Sequence, residues 1–468
     1  MTRIIIRNIL LVIIVIGIIT GCKKDKNEKP VPEPVSVSSD FESGSIGDIV
    51  KNSNTSWEFY LADDNNNPEL PERWRNWWYV KMDNITTDSV VKVTLKNRGW
   101  PFYYLPVYSY NQEEWFRFTE EEVGQNADNE LIINKQFDYN EVWLARFYPY
   151  TLTDLENYIT TIGSNANVEI QTPGYSQDGN PIYAIYISDF DITRSEKKRI
   201  FMHARTHPAE TPQSFLLEGM INFLLSGSQE ASEILSQFEF FVFPMQNVDG
   251  VITGNYRSTP LSQNLEVMWY YEQEDPLVLT DEAPVEVKII HQYAKELMND
   301  GGPAISMALN LHASNSEPDI RTFFYPHFGT EEQGYTPVEA SLWEKQISFI
   351  SSFATHFGTD MIEPVPSEGG SSFASKTYPE SWWWVNYQDQ VMAMTMELTY
   401  GRAGFAPYWI TPDDLRDEGI ALARSIRDYY NPDFAPAQLV IGRENDSRNV
   451  DLRYPELYPP ADPDESKK

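Results

Sequence analysis

The chain has a single cysteine, only six histidines and about half as many basic side chains as acidic ones. Each shortage removes a class of explanation. With Cys22 alone, no intrachain disulfide can form. Lys and Arg total 36 against 69 Asp and Glu, a formal net charge of -33. That field repels phosphates and anionic lipid surfaces, so neither nucleic acid nor a bare membrane surface is an expected partner of the folded domains. The apolar run Ile9–Ile19 falls short of the roughly 20 residues a spanning helix needs. No internal repeat is visible. What remains is 468 residues, 41% hydrophobic and 14% aromatic, enough for two or three domains with a sizeable core.

Residues 1–22 read as a targeting segment: Arg3 and Arg7 give a basic start, an apolar run follows, and the segment closes Ile-Thr-Gly-Cys. It resembles a bacterial lipoprotein signal. The resemblance implies cleavage before Cys22, lipid on that cysteine, and a place in the bacterial cell envelope, anchored to a membrane and facing the periplasm or the surface. An uncleaved anchor helix is the alternative. Residues 23–34, polar and proline-containing, form a tether.

Residues 35–149 have the texture of short strands. Val91, Val93 and Leu95 alternate with Lys92, Thr94 and Lys96, and comparable runs recur at 77–82, 103–108, 131–137 and 142–147. No useful helical period intrudes, so a small antiparallel β-sandwich is expected. Trp74, Trp77, Trp78 and Tyr79 form either a carbohydrate-binding face or, as aromatics are more often used, core and interdomain packing.

From residue 150 to 432 strands and helices alternate. Strands are expected at 168–171, 182–187, 199–204, 238–243, 306–311 and 392–398, with helices near 212–226, 284–299, 338–356 and 412–430. This predicts an α/β domain with a mixed sheet flanked by helices, whose chemistry should gather at the carboxyl ends of the strands. The proline- and charge-rich tail, 433–468, is expected to be irregular.

The densest chemistry lies in KRIFMHARTHPAETPQSFLLEGMINF, residues 198–223. A short apolar strand leads into a helical period, and Pro208 is expected to open the helix, holding His207 and Glu210 one turn apart at its mouth. A histidine and a glutamate so held make two legs of a zinc site, and a catalytic zinc takes three protein ligands. The phrase HARTHPAET resembles the metal-binding segment of the zinc carboxypeptidase family, especially its cytosolic carboxypeptidase branch. The segments DFESGSIGDIV and ARFYPYTLTDLENYI likewise resemble the phrases that open and close the β-domain preceding the catalytic domain in that branch.

The resemblance implies one Zn2+ held by His207, Glu210 and a strand-end histidine, His312, within NLHAS. His203, His291, His327 and His356 have contexts suited to structural or surface roles. FPMQNVDGVITGNYR is similar to the phrase whose arginine polarises the scissile carbonyl, which puts Arg257 in that role. MAMTMELTYG is similar to the strand presenting the general base, which makes Glu397 that base. An isolated carboxylate between Met396 and Leu398 is costly without a task or a partner. Asp249-Gly250 reads as a turn.

Counting from Arg257, the family's carboxylate-gripping Asn-Arg pair falls on Glu266 and Val267, and the aspartate that steadies a zinc histidine falls on Asn264. Glu266 repels a carboxylate, and could hold an amine instead; Val267 cannot bind either. Tyr378 and Tyr387 lie in the region of the tyrosine that the family places over its substrate. Arg321, Lys376 or Arg402 could supply a replacement cation. The implied reaction is hydrolysis of a peptide amide bond with Glu397 as base. Cleavage of cell-wall or modified peptides lacking a free C-terminal carboxylate, and non-catalytic binding of peptide or glycan, remain open.

Overall fold

A computed structural model describes residues 34–314, 321–370, 377–401 and 409–442. The signal-like segment with Cys22, the candidate cations Lys376 and Arg402, and residues 443–468 lie outside them.

The first part consists of ten strands: β1 (Ser36–Ser38), β2 (Ile49–Ser53), β3 (Ser56–Tyr60), β4 (Tyr79–Asp83), β5 (Val91–Lys96), β6 (Val107–Ser109), β7 (Trp115–Arg117), β8 (Val123–Gln125), β9 (Leu131–Lys135) and β10 (Glu141–Ala145). They make two five-stranded sheets, ordered β1-β4-β10-β6-β7 and β2-β3-β5-β9-β8. Their pairings are antiparallel except that β3 runs parallel to β5. Period-2 patterning fills the sandwich: Val91, Val93 and Leu95 point into a core shared with Trp78, Val80, Met82, Val142 and Leu144.

The alternate face of β4 and β10 is buried only at the Tyr79 and Ala145 end, while Lys81, Asp83 and Glu141 farther along stay partly exposed. Tyr79, Val107 and Ala145 join Trp77 and Phe147 in the core of the following domain. Trp77, Trp78 and Tyr79 are therefore packing residues, at most 4% exposed, and they make no carbohydrate platform.

The second part comprises α1 (Leu152–Ile162), β11 (Val168–Tyr175), β12 (Pro181–Ile187), β13 (Lys198–Ala204), α2 (Pro212–Leu224), α3 (Gln229–Gln237), β14 (Phe238–Phe243), α4 (Val248–Thr253), α5 (Val285–Asn299), β15 (Ile305–Ala313), β16 (Phe323–Tyr325), α6 (Pro337–Phe357), α7 (Pro379–Tyr387), β17 (Met392–Leu398) and α8 (Pro412–Tyr429). The strands form one mixed sheet, β11-β12-β14-β13-β15-β17-β16. Its centre, β14-β13-β15-β17, is parallel. Helices cover both faces of such a sheet, so its strands read as continuous apolar runs rather than alternating ones. The exception in β14 is Glu239, fully buried but bonded to Arg199 at 3.0 Å and to the Tyr186 hydroxyl at 2.6 Å. A buried charge survives when its oxygens are taken up in this way.

Two local expectations need correction. Helix α2 opens at Pro212, not Pro208. Arg205 adopts a left-handed backbone, φ 57°, at the end of β13, and the chain then makes a turn closed by Glu210 N–H to His207 C=O at 3.3 Å. Pro208 belongs to that turn, while Pro212 takes the first helical position, where its missing N–H costs nothing. Asp249-Gly250 lies inside α4, which Asn247 caps by accepting from Gly250 N–H at 3.1 Å. The Asp249 carboxylate braces the β11–β12 hairpin, accepting from Ser176 Oγ at 2.5 Å and Asn180 Nδ2 at 2.8 Å.

Candidate metal centre

Three parallel strands end at one place. The chain leaving β13 turns through His207 and Glu210; β15 presents His312; β17, paired in register with it, sets Glu397 directly opposite His312. His207, Glu210 and His312 are buried and offer ligand atoms that all lie within 4.8 Å of one another. His207 Nδ1 stands 3.2 Å from His312 Nδ1. The Glu210 oxygens lie 2.8 Å from the first and 3.0 Å from the second.

The donor set fits zinc on these observations. Two ligands held at about 2.1 Å around a tetrahedral ion stand about 3.4 Å apart, close to the 3.2 Å observed between the two ring nitrogens. The other ring nitrogens are occupied: His207 Nε2 faces Asn264 Oδ1 at 3.0 Å and His312 Nε2 faces Glu266 Oε2 at 3.1 Å. That leaves both Nδ1 atoms for the ion. Nδ1 coordination with Nε2–H given to a fixed acceptor is how protein zinc sites set the tautomer.

The charges agree. Burial opposes protonation of His312, yet Glu266 and Glu210 outweigh it and lift its pKa well above the ordinary value. The positive charge that these carboxylates favour on His312 is what a divalent cation supplies. Burial, helped by the charge of Arg257, pushes His207 down to about 4. Burial lifts Glu397 well above the usual carboxylate range, with Glu210 and Glu266 adding to it and His312 and Arg257 opposing.

A buried turn carries the ligands. Arg205, itself 1% exposed, donates to Pro208 C=O, to Tyr150 C=O at 3.0 Å and to Ser214 Oγ at 2.8 Å. Glu210 Oε2 accepts from Ala313 N–H and Gln213 Nε2, both at 3.0 Å. These bonds fix the carboxylate before any ion arrives.

Other candidates stand differently from their sequence reading. Glu266 is not presented to a substrate: it is 3% exposed, and besides His312 it takes Asn310 Nδ2 at 3.0 Å. The role of amine or carboxylate discriminator is withdrawn for it. The reason is a short 3-10 turn over Leu265–Val267, which Asn264 opens by accepting from Glu266 N–H at 3.2 Å; the turn directs Glu266 inward. Tyr378 lies at the start of α7, 2% exposed, where the charges of Glu266 and Arg257 both reach its hydroxyl. Tyr387 is at the other end of that helix, against Trp382 and Trp383 at 5.8 and 5.6 Å. Nine helical residues extend about 13 Å, so Tyr387 belongs to the aromatic packing and not to the site. Arg321 is engaged by Asp360 C=O at 3.0 Å and Glu363 at 3.6 Å. His203, His291 and His327 are buried and are not among the three ligands, and His356 pairs with Asp428 at 2.7 Å.

The same arrangement of phrases is found in known proteins. Residues 37–147 match the family described as cytosolic carboxypeptidase N-terminal domain, and residues 155–276 match zinc carboxypeptidase. The chain is zinc metallocarboxypeptidase-like. Human cytosolic carboxypeptidase 2 is 29% identical over 270 residues, 49% of this chain and 30% of that protein. Mouse cytosolic carboxypeptidase 6 is 25% identical over 321 residues, 63% of this chain and 56% of that protein. The chain thus spans about a third of the length of the first of these relatives and about half of the second.

Among solved structures, a metallo-carboxypeptidase from Burkholderia cenocepacia superposes with TM-score 0.69 at 18% identity, covering 84% of this chain and 98% of that one. One from Pseudomonas aeruginosa, in complex with (2-guanidinoethylmercapto)succinic acid, gives 0.69 at 19%, with the same coverage. At these identities the likeness is one of fold. The matched family and relatives carry the name cytosolic, which points to the cytosol; it overturns the expected lipid-anchored place in a bacterial envelope. Among the described residues no helix is long and apolar enough to cross a membrane.

Proposed function

We propose that this zinc metallocarboxypeptidase-like chain hydrolyses peptide amide bonds, with His207, Glu210 and His312 as metal ligands, Glu397 as general base and Arg257 as carbonyl-polarising cation. The convergence of two Nδ1 atoms and one carboxylate beside a buried glutamate carries the reading. A zinc ion held there makes water easier to deprotonate and draws electrons from a carbonyl. Glu397 takes the proton of the attacking water and returns it to the leaving nitrogen; it is buried directly opposite His312 on the adjacent strand, within reach of the ligand set. Arg257 Nε and Nη2 have no hydrogen-bond partner among the described residues. They are donors available to the oxyanion as it forms, and losing one such donor typically costs about 2.7–4 kcal/mol. Tyr378 closes the site from α7. Peptide is the proposed partner. Residues 35–149 and 150–432 are the proposed domains.

Substrates without a free C-terminal carboxylate form a second reading, favoured by one observation: Glu266 is turned onto His312 and Val267 offers no donor, so the usual carboxylate grip is missing from that turn. The zinc-loaded protein incubated with a mixed peptide set, and read by mass spectrometry against Glu397→Gln as blank, decides. Stepwise C-terminal loss by wild type alone supports a carboxypeptidase. Cleavage confined to amidated or branched ends supports the second reading, and equal products from both proteins remove Glu397 from the mechanism. At the N-terminus the proposal concerns processing only: removal of residues 1–21 makes Cys22 the first residue, and an intact mass that includes Met1 overturns it.

A further inference from the structure

Arg257 is 4% exposed, and its own side-chain bonds do not explain its aim, since Nε and Nη2 are unpartnered among the described residues. The explanation lies in its backbone. The N–H groups of Tyr256, Arg257 and Ser258 all donate to one carboxylate, Asp64, at 2.6, 2.9 and 2.8 Å. Ser258 Oγ adds a fourth bond at 2.9 Å. Asp64 comes from the β-domain, in the connection between β3 and β4, and is 4% exposed.

Its neighbour Asn65, in a left-handed backbone with φ 57°, completes the clamp. Asn65 N–H donates to Asn255 Oδ1 at 3.1 Å, and Asn255 Nδ2 donates back to Asn65 Oδ1 at 2.8 Å. Asn65 Nδ2 reaches Thr259 C=O at 2.9 Å and Ser262 Oγ at 3.0 Å. Trp74, from the same connection, lies under the guanidinium with its ring 6.0 Å from Cζ. The clamp on the Arg257 backbone and one ring beside its guanidinium are thus supplied by the other domain.

We infer that Asp64 is the positioning residue for Arg257, so that the β-domain is a working part of the active site rather than an appendage. The inference rests on the proposed role of Arg257 and deepens it. Four charge-assisted bonds to one buried carboxylate hold three consecutive peptide units, and an oxyanion donor is effective only if it is held in place before charge develops. A displacement of about 1 Å can cost 100-fold in rate.

The test uses the full zinc-loaded chain with Asp64→Ala, Asp64→Asn, Arg257→Ala and the Asp64→Ala/Arg257→Ala pair. Asp64→Ala is expected to lower kcat by about 10- to 100-fold with KM and zinc content little changed. Asp64→Asn, which keeps one acceptor oxygen, should recover part of the loss. In the Arg257→Ala background the Asp64 substitution should cost nothing further, because the two act as one unit. Amide exchange in the segment 255–262 should quicken in Asp64→Ala while β15 stays protected, a readout that needs no turnover and that Asp64→Asn supplies in milder form if the alanine variant does not fold.

Full activity of Asp64→Ala, losses that multiply with those of Arg257→Ala, or unchanged exchange at 255–262 would each overturn the inference. Full activity of Arg257→Ala with quickened exchange in Asp64→Ala would instead overturn the role of Arg257, leaving a clamp with no catalytic consequence.

Discussion

Glu266 shows how a single displaced charge can be misread from sequence. Position 264, where the resemblance implies an aspartate, carries an uncharged asparagine that accepts from His207 at 3.0 Å. The charged partner stands two residues on and serves the other histidine. We expect Glu266→Gln to keep the fold and the hydrogen bond but lose the charge, weakening zinc binding about 10- to 100-fold, the usual cost of altering a ligand's partner. Chelator competition measures it, and an unchanged affinity would sink the assignment. His207 and Glu210 were legible because they are three residues apart in a recognisable phrase. Arg205, Asp64 and Glu266 were not, since their work is done on atoms distant in sequence or on backbone groups, and neither leaves a periodic signature.

The long elements were legible for the opposite reason: each has its own period. The expected strands at 182–187, 238–243 and 392–398 and the helices near 284–299 and 412–430 are found within a few residues of their observed bounds. Short edge strands such as β16 and the helix α7, crowded with three tryptophans, have no such pattern. The crossing of α2 with α8 was also invisible, yet it governs how those helices seat. A Cβ at Gly219 would stand 2.0 Å from Arg416 C=O, and one at Gly419 would stand 2.0 Å from Leu216 C=O. Alanine ordinarily favours a helix over glycine by about 1 kcal/mol. Here the obstacle is backbone, which cannot swing aside, so Gly219→Ala and Gly419→Ala should each destabilise by about 1–3 kcal/mol through overpacking. Urea midpoints check this, and a gain in stability would mean that the helices can part without cost.

At the scale of the whole molecule, a net charge of -33 and a set of buried titratable groups make stability depend on pH in two opposed ways. Burial pushes His203 and His291 down to about 4. Below pH 6.5 the unfolded chain therefore binds protons that the folded one refuses, and these groups make stability rise with pH from about 4 to 6.5. Burial pushes Glu418 in α8 up to about 8, against the bond it accepts from Thr322 Oγ1 at 2.8 Å. Between pH 4.5 and 8 the folded chain keeps a proton that the unfolded one has released, so this group makes stability fall as pH rises. Above 6.5 the histidine contribution is complete and Glu418 acts in the same direction as the growing self-repulsion of the acidic chain. Glu418→Gln preserves an acceptor for Thr322 and removes the titration. Its unfolding temperature, compared with wild type at equal zinc, should gain progressively from pH 5 to pH 8. A difference that stays constant across that range would show that Glu418 is ionised in the folded protein, and the decline of stability above neutrality would then belong to the surface charge alone.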